Sequence, residues 1–167
     1  TPRAIYDYVV DTLSYDYQRV GGAPIRKGAV QALAATDTAI CMEFTDLFIA
    51  VARAAGIPAR EVVGYAYTSN AKLRPLSLVA DVLHAWPEYY DGEKKRWIPI
   101  DPTWADTTGG INYFDKLDFN HIAFAIHGAS SEAPLTAGFY RQEGKAGKDV
   151  VVSFLDKQSA FPEGKLN

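Results

Sequence analysis

Apolar side chains recur every three or four residues over the N-terminal part of the chain, which is the spacing of one face of a helix. This pattern predicts helices over residues 2–14, about 26–34 and 40–55. Gly56 and Pro58 end the third helix, since glycine favours a helix stop and proline prevents continuation. The apolar stripe of this third helix is the longest and comprises Ile40, Phe44, Leu47, Phe48, Val51 and Ala55.

After Arg60 the pattern becomes that of β-strands. Asp91-Gly92 marks a turn between two of them, whereas residues 102–120 are predicted to be rich in loops. Helices followed by a mainly antiparallel sheet indicate an α+β fold. The predicted strands cover residues 61–67, 84–90, 96–101 and 122–126, with one further hairpin that pairs 138–142 with 150–155.

Length and composition fit one domain over residues 1–167. The net charge of −3 gives no basic surface of the kind that binds nucleic acid, and no run of roughly 18 apolar residues predicts a membrane span. The chain opens at Thr1 rather than at a methionine, which is consistent with a piece excised from a longer protein. Cytoplasmic and extracytoplasmic locations, and the oligomeric state, stay open.

Cys41 is the single cysteine, so a disulfide within the chain and a cysteine-rich metal site are excluded. It lies in the first turn of the third predicted helix, where free N–H groups and the helix dipole favour a thiolate. The residue type and position alone leave two interpretations open: a small buried apolar side chain, or a reactive thiol.

The predicted hairpin brings candidate partners for this thiol together. One register allowed by the turn sets His84 directly opposite Asp101, with Cβ atoms ~5 Å apart. That distance suits an imidazole–carboxylate hydrogen bond, which would fix the tautomer of the histidine. Pro87 and Pro99 interrupt the ladder. Taken singly, His84 is also explained as a satisfied interior residue and Asp101 as a turn former, so the residues alone predict a thiol enzyme as one of two possibilities.

Three motifs in this order resemble those of transglutaminase-like domains. The segment 41–60 resembles the helix that carries the nucleophile in that family, and Gly64-Tyr65 resembles the strand after it. His84-Ala-Trp-Pro-Glu88 is similar to the histidine motif, and Trp97-Ile-Pro-Ile-Asp-Pro-Thr-Trp104 to the aspartate motif. The resemblance covers roughly residues 36–104. Ala39 departs from the pattern, because the family often has glycine two residues before the cysteine.

The resemblance implies a papain-like α+β core in which the nucleophile helix packs on an antiparallel sheet. It also implies roles for three residues, with Cys41 as the nucleophile, His84 as its base and Asp101 as the acid that orients the histidine. The expected reaction is acyl transfer on an amide bond through a cysteine thioester, with hydrolysis of a peptide or amide as the first expectation. Cross-linking by a protein-glutamine gamma-glutamyltransferase, a non-catalytic binding module and a protein-interaction domain are the alternatives.

Further residues are candidates for the surroundings of this site. The Cys41 N–H is a natural oxyanion donor, and Tyr17 or Tyr15 is the candidate for a second one. Trp86, and likewise Trp104, are expected either to line the cleft or to pack in the core.

No metal and no cofactor are predicted, because the calcium-loop pattern D-x-[DN]-x-[DN]-G is missing from the sequence. Asp115, Asp118 and Asn120 are expected to be solvated loop residues. His121 and His127 are expected to lie at the surface or in a satisfied interior position. The predicted partner is a protein or peptide substrate.

Overall fold

The computed structural model describes residues 1–19, 25–66, 83–117, 121–128, 140–142 and 145–147. The predicted strand at 150–155 lies outside these residues. The helices are α1 (Pro2–Thr12), α2 (Gly28–Ala34), α3 (Cys41–Ala54) and α4 (Pro102–Thr107). The strands are β1 (Ala59–Ala66), β2 (Leu83–Asp91), β3 (Arg96–Pro99), β4 (His121–His127), β5 (Tyr140–Gln142) and β6 (Lys145–Gly147).

Helix α3 forms the centre of the core, as its apolar stripe predicts. The side chains of Phe44, Leu47 and Phe48 are buried, whereas Ala55 at the end of the predicted stripe is exposed. Helix α1 packs on α3 through Ile5, Tyr6 and Val9. Gly56 ends α3 with a φ of +75°, a conformation that glycine adopts without steric cost. None of the helices in the described part of the chain combines the length and apolar character needed to cross a bilayer.

Four strands form one antiparallel sheet in the order β3-β2-β1-β4, and β5 pairs with β6 in a separate ladder. Helix α3 packs on β2 and β1 of the larger sheet. This arrangement confirms the predicted papain-like α+β fold. The predicted partner of the 138–142 strand is wrong for the residues described, since Tyr140–Gln142 pairs with Lys145–Gly147.

The β2–β3 hairpin has a longer turn than the sequence analysis assumed. Asp91 pairs with Arg96, and the Asp91 carboxylate accepts the N–H groups of Glu93 and Lys94 at 3.0 Å each. In the resulting register Glu88 pairs with Pro99, so the predicted direct pairing of His84 with Asp101 is wrong. The shift amounts to two residues, and a shift of two leaves every side chain on its original face of the sheet.

A short helix, α4, follows β3 where loop had been predicted. Asp101 is its N-cap, because its Oδ1 atom accepts the N–H of Trp104 at 2.9 Å, and Pro102 occupies the first helical position. An aspartate followed by proline is a helix-start signal, which the sequence analysis read as a turn. The cap removes Asp101 from the β-ladder and turns its carboxylate into the protein.

The pairing of β4 with β1 contains a bulge, which changes the face of the sheet on which the side chains of β4 lie. Val63 pairs with Ala125, but the next residue, Gly64, pairs with Ala123, so the ladder skips Phe124. A bulge of this kind reverses the face on which the following side chains lie. As a result, His121 is placed on the same face of the sheet as His84, which pairs with Gly64 on the other side of β1.

Gly64→Ala is expected to destabilise the fold. A Cβ atom at Gly64 would meet the Ile122 carbonyl oxygen at 2.0 Å and Cη2 of Trp86 at 2.8 Å, so backbone and indole would both have to move. We expect the free energy of unfolding measured in urea to fall by about 2 to 3 kcal/mol. Gly92→Ala is the control, since a Cβ atom there meets nothing within 4 Å. Equal stabilities for the two variants would contradict this role of Gly64.

Candidate active site

Cys41 is the first residue of α3 and is partly exposed, while its side chain packs on Val63 and Ala85 of the sheet. The backbone just before it is held by the buried carboxylate of Glu43, which accepts the Ile40 N–H at 3.0 Å. The same carboxylate forms an ion pair with Arg19 at 2.9 Å. The entry to the helix is therefore fixed, and the sulfur stands at the edge of the core.

His84 lies between Cys41 and Asp101. Its Nε2 atom is 2.8 Å from Oδ2 of Asp101, and the Cys41 side chain lies close enough to the ring to help raise the pKa of His84. Because Nε2 faces the carboxylate, Nδ1 is the ring nitrogen left to face the thiol. The side chains of His84 and Asp101 are 3% and 0% exposed, so water does not screen their interaction.

Electrostatics favour an imidazolium–carboxylate pair. Burial works against both charges, but the charge of Asp101 and its hydrogen bond, helped by Cys41, raise the pKa of His84 from 6.5 to about 10. Burial likewise opposes ionisation of Asp101, yet the charge of His84 and the hydrogen bonds from His121 and His84 hold its pKa well below its usual range. The carboxyl group thus stays ionised and the ring retains a proton at neutral pH.

His121 is a member of the site that the sequence analysis did not assign to it. Its Nε2 atom lies 2.9 Å from Oδ2 of Asp101, the oxygen that also contacts His84. The side chain of His121 is 1% exposed, so it is a satisfied interior residue with a specific partner in the site. The only signal in the sequence was a histidine at the start of an alternating segment. This signal is weak, because the contact of His121 with Asp101 depends on the bulge in β4.

Aromatic rings surround the two histidines. Trp86 and Trp104 are 2% and 1% exposed, and their ring centroids lie 5.9 and 6.0 Å from that of His84. The ring of Tyr113 packs edge-on against Trp104 at 5.7 Å. In this structure both tryptophans are therefore packed around the site, and they keep water from the histidine–carboxylate pair.

Of the two tyrosines proposed as oxyanion donors, Tyr15 lies beside the segment that leads into α3, and Tyr17 packs on Tyr15. Tyr15 pairs with Ala39, and the next residue, Asp16, donates its N–H to the Ala39 carbonyl oxygen at 2.7 Å. The ring of Tyr15 packs on the core residue Phe44. Tyr17 is 43% exposed and its ring lies edge-on to that of Tyr15 at 5.0 Å. Burial, with a smaller contribution from the charge of Asp106, raises the pKa of Tyr17 above its usual value.

In the described part of the chain, His84, Asp101 and His121 are the group whose donor atoms lie close enough together, within 4.8 Å of one another, to be considered as metal ligands. Their N···O distances of 2.8 and 2.9 Å are those of hydrogen bonds. Ligand atoms around a tetrahedral zinc ion, at bonds of 2.0–2.2 Å, would stand about 3.3 Å apart. The N···O distances in this group therefore fit hydrogen bonds better than coordination of a common metal ion.

The remaining candidates lie away from this cluster or outside the described residues. Asp115 is exposed and contacts Arg3 at 3.1 Å, and His127 contacts Glu61 at 2.9 Å. Asp118 and Asn120 are outside the residues that the structure describes.

Comparison with known proteins identifies a family for this chain. The sequence profile of the transglutaminase-like superfamily matches residues 1–102, which is more than half of the chain. The chain belongs to the transglutaminase-like superfamily. The matched range of the superfamily includes Cys41, His84 and Asp101 but ends before His121. The resemblance inferred from the sequence motifs is thereby confirmed.

Two known proteins are similar to parts of this chain. A protein-glutamine gamma-glutamyltransferase of Pseudomonas aeruginosa is 37% identical over 73 residues, which represent 41% of this chain and 10% of that protein. A solved structure of a candidate cysteine protease from Cytophaga hutchinsonii aligns with a TM-score of 0.48 and 26% identity, covering 87% of this chain and 50% of that chain. The chain thus spans about a tenth of the length of the first protein and half of the second.

The His84–Asp101 pair predicts how stability depends on pH. Because the pKa of His84 is raised, its contribution to the free energy of unfolding is complete below pH 6.5 and is lost as the pH rises towards about 10. Because the pKa of Asp101 is lowered, its contribution to the free energy of unfolding is complete above pH 3.8 and is lost in acid. We expect the free energy of unfolding in urea to decline from pH 6.5 upwards, and Asp101→Asn to flatten or reverse this decline.

Asp7→Asn is the control for this measurement, because Asp7 forms an exposed ion pair with Arg3 in which the side chains are 48% and 47% exposed. It should leave the shape of the pH curve unchanged. If the native protein and Asp101→Asn gave parallel curves of unfolding free energy above pH 6.5, the His84–Asp101 pair would not be the cause of the pH dependence.

Proposed function

We propose that the chain catalyses thiol-dependent acyl transfer from an amide bond through a thioester on Cys41. The observation that carries this proposal is the position of His84, whose buried ring contacts the Cys41 side chain and the Asp101 carboxylate together. Membership of the transglutaminase-like superfamily supports a thiol-dependent activity in general.

The first half of the proposed cycle forms the thioester. The proton of the Cys41 thiol is held on Nδ1 of the His84 imidazolium, and the sulfur attacks the amide carbonyl carbon as a C–S bond forms. The tetrahedral intermediate then collapses, the C–N bond breaks, and His84 returns the proton to the leaving nitrogen. Asp101 stabilises the imidazolium before this proton transfer, and afterwards it holds the tautomer with hydrogen on Nε2.

The second half releases the acyl group. An acceptor attacks the thioester carbonyl, His84 removes its proton, and the C–S bond breaks, which leaves the sulfur of Cys41 beside the His84 imidazolium as at the start. Hydrolysis requires nothing beyond the groups already described, because water is the acceptor. We therefore propose hydrolysis of a peptide or amide bond as the activity of the chain.

Cross-linking is the second candidate function. It is favoured by the similarity to the Pseudomonas aeruginosa relative, which is named as a protein-glutamine gamma-glutamyltransferase. In that reaction a primary amine replaces water as the acceptor, while the thioester chemistry at Cys41 and His84 stays the same. The two functions therefore differ only in the second half of the cycle.

A thioester trap tests the proposed function. The protein is incubated with a glutamine-containing peptide and a labelled primary amine, and the products are separated by mass spectrometry. We expect free carboxylate product, no product from Cys41→Ala, and a rate roughly 10⁴-fold lower for Asp101→Asn because the wrong histidine tautomer is stabilised.

Each outcome of the trap has a defined meaning. Amine incorporation in preference to water would replace hydrolysis by cross-linking. Turnover by Cys41→Ala would exclude the thioester. Full binding of the peptide with neither product, in a folded protein, would favour the non-catalytic binding module. Gly92→Ala, whose substitution lies in the exposed β2–β3 turn, should retain the native rate.

Tyr17 is the residue we propose as the second oxyanion donor, with the Cys41 N–H as the first. The first N–H groups of a helix have no acceptor within it and point outwards, as an oxyanion site requires. Tyr17 is preferred over Tyr15 because the Tyr15 ring packs on the core, whereas the Tyr17 side chain is 43% exposed and its ring lies against that of Tyr15, which pairs with Ala39 before the helix.

Tyr17→Phe is expected to lower kcat roughly 100-fold with little change in KM, because the lost hydrogen bond forms only in the transition state. Tyr15→Phe is the matched control and should retain most of the native kcat. A larger loss of kcat in Tyr15→Phe than in Tyr17→Phe would assign the donor to Tyr15. An unchanged kcat in both variants would exclude both tyrosines from the mechanism.

A further inference from the structure

We propose that His121 is a positioning residue that shares the charge of Asp101 with His84, so that His84 can release its proton to the leaving group. The two imidazoles approach one carboxylate oxygen, with N···O distances of 2.8 Å from His84 and 2.9 Å from His121. The catalytic part of this inference rests on the proposed function, whereas the effect on His84 does not.

The sheet places His121 in this position through small residues on the intervening strand. On β1, Gly64 pairs with His84 and Ala66 pairs with His121, so the two histidines lie on the same face with β1 between them. A glycine and an alanine leave room for both imidazoles to reach across. The bulge after Val63 is what turns His121, rather than Ile122, to this face.

His121 acts through Asp101 and has no access to substrate. Its side chain is 1% exposed, and its ring lies edge-on to Trp86 at 5.1 Å and to Trp104 at 5.0 Å. The Nε2 atom points at Oδ2 of Asp101. A role as general base towards a substrate is therefore excluded by this geometry.

The carboxylate needs this second donor most when His84 is neutral. After His84 gives its proton to the leaving nitrogen, Asp101 remains as a carboxylate that is 0% exposed, and it has lost its positively charged neighbour. An ionised group in such a place is costly unless hydrogen bonds satisfy it. Asp101 retains the N–H groups of Trp104, His84 and His121 in this state.

Removal of His121 should therefore make His84 hold its proton more tightly. With one donor fewer, more of the negative charge on Oδ2 faces the imidazolium, and the neutral state of His84 becomes less favourable. The same change would slow protonation of the leaving group. A role of His121 in packing alone predicts the opposite sign, because a displaced Asp101 would stabilise the imidazolium less.

The decisive measurement is the titration of the His84 ring by NMR in a Cys41→Ala background. This background removes the contribution of the thiol, which raises the pKa of His84, and brings the titration to lower pH. We expect His121→Leu to shift the titration of His84 upwards by about one pH unit, comparable with the loss of one charge-assisted hydrogen bond. His121→Gln, which keeps an N–H donor at similar reach, should restore the original titration.

His127→Leu provides the matched control. His127 lies on the same strand and contacts a carboxylate oxygen of Glu61 at 2.9 Å, outside the cluster. It should leave the titration of His84 unchanged. An unchanged or lowered pKa of His84 in His121→Leu, or a failure of His121→Gln to restore it, would overturn the proposal.

Kinetics of the protein with its native Cys41 provide the second readout. We expect His121→Leu to slow thioester formation about tenfold with KM nearly unchanged, and His121→Gln to recover most of the rate. The NMR titration requires no turnover, so the absence of acyl transfer would overturn the proposed function while leaving the His121 effect measurable. Conversely, active protein with an unshifted His84 would overturn the role of His121 alone.

Discussion

The buried carboxylate of Asp101 is the interaction on which the arrangement of this site depends. Oδ1 caps helix α4 by accepting the Trp104 N–H, while Oδ2 lies within hydrogen-bonding distance of His84 on β2 and His121 on β4. A carboxylate without solvent exposure is tolerated only when such partners satisfy it. One group thereby links a helix to two strands that are separated in the sheet by β1.

A second buried carboxylate performs a comparable task at the other side of the site. Glu43 accepts the N–H groups of Ile40 and Lys27 and pairs with Arg19, which fixes the segment that leads into Cys41. The thiol thus stands at a rigid helix start and is partly exposed, whereas its partners are buried. This division suits acyl transfer, because the nucleophile must meet substrate while the histidine–carboxylate pair must avoid water.

The contact between His84 and Asp101 was predicted correctly, but from an incorrect register of the β2–β3 hairpin. The predicted turn was too short and the direct pairing was wrong, yet Asp101 at the start of α4 still lies with Oδ2 2.8 Å from Nε2 of His84. Helix α4 was missed because the Asp101-Pro102 signal for a helix start is also a signal for a turn. His121 was missed because alternation favours the apolar set of β4 as the inward face, whereas Ile122, Phe124 and Ile126 are 47%, 53% and 50% exposed.

The sequence by itself determined helix α3, the strands of the β2–β3 hairpin and the family, because the helical period, strand alternation and motif spacing are local properties. Only the tertiary structure decided that His121 and the Trp104 N–H are further partners of Asp101. The bulge at Gly64, the capping of α4 and the approach of β4 to β1 depend on contacts between residues far apart in the chain. A local sequence pattern does not contain such contacts. They matter because the Asp101 carboxylate is buried and is tolerated only when hydrogen bonds satisfy it.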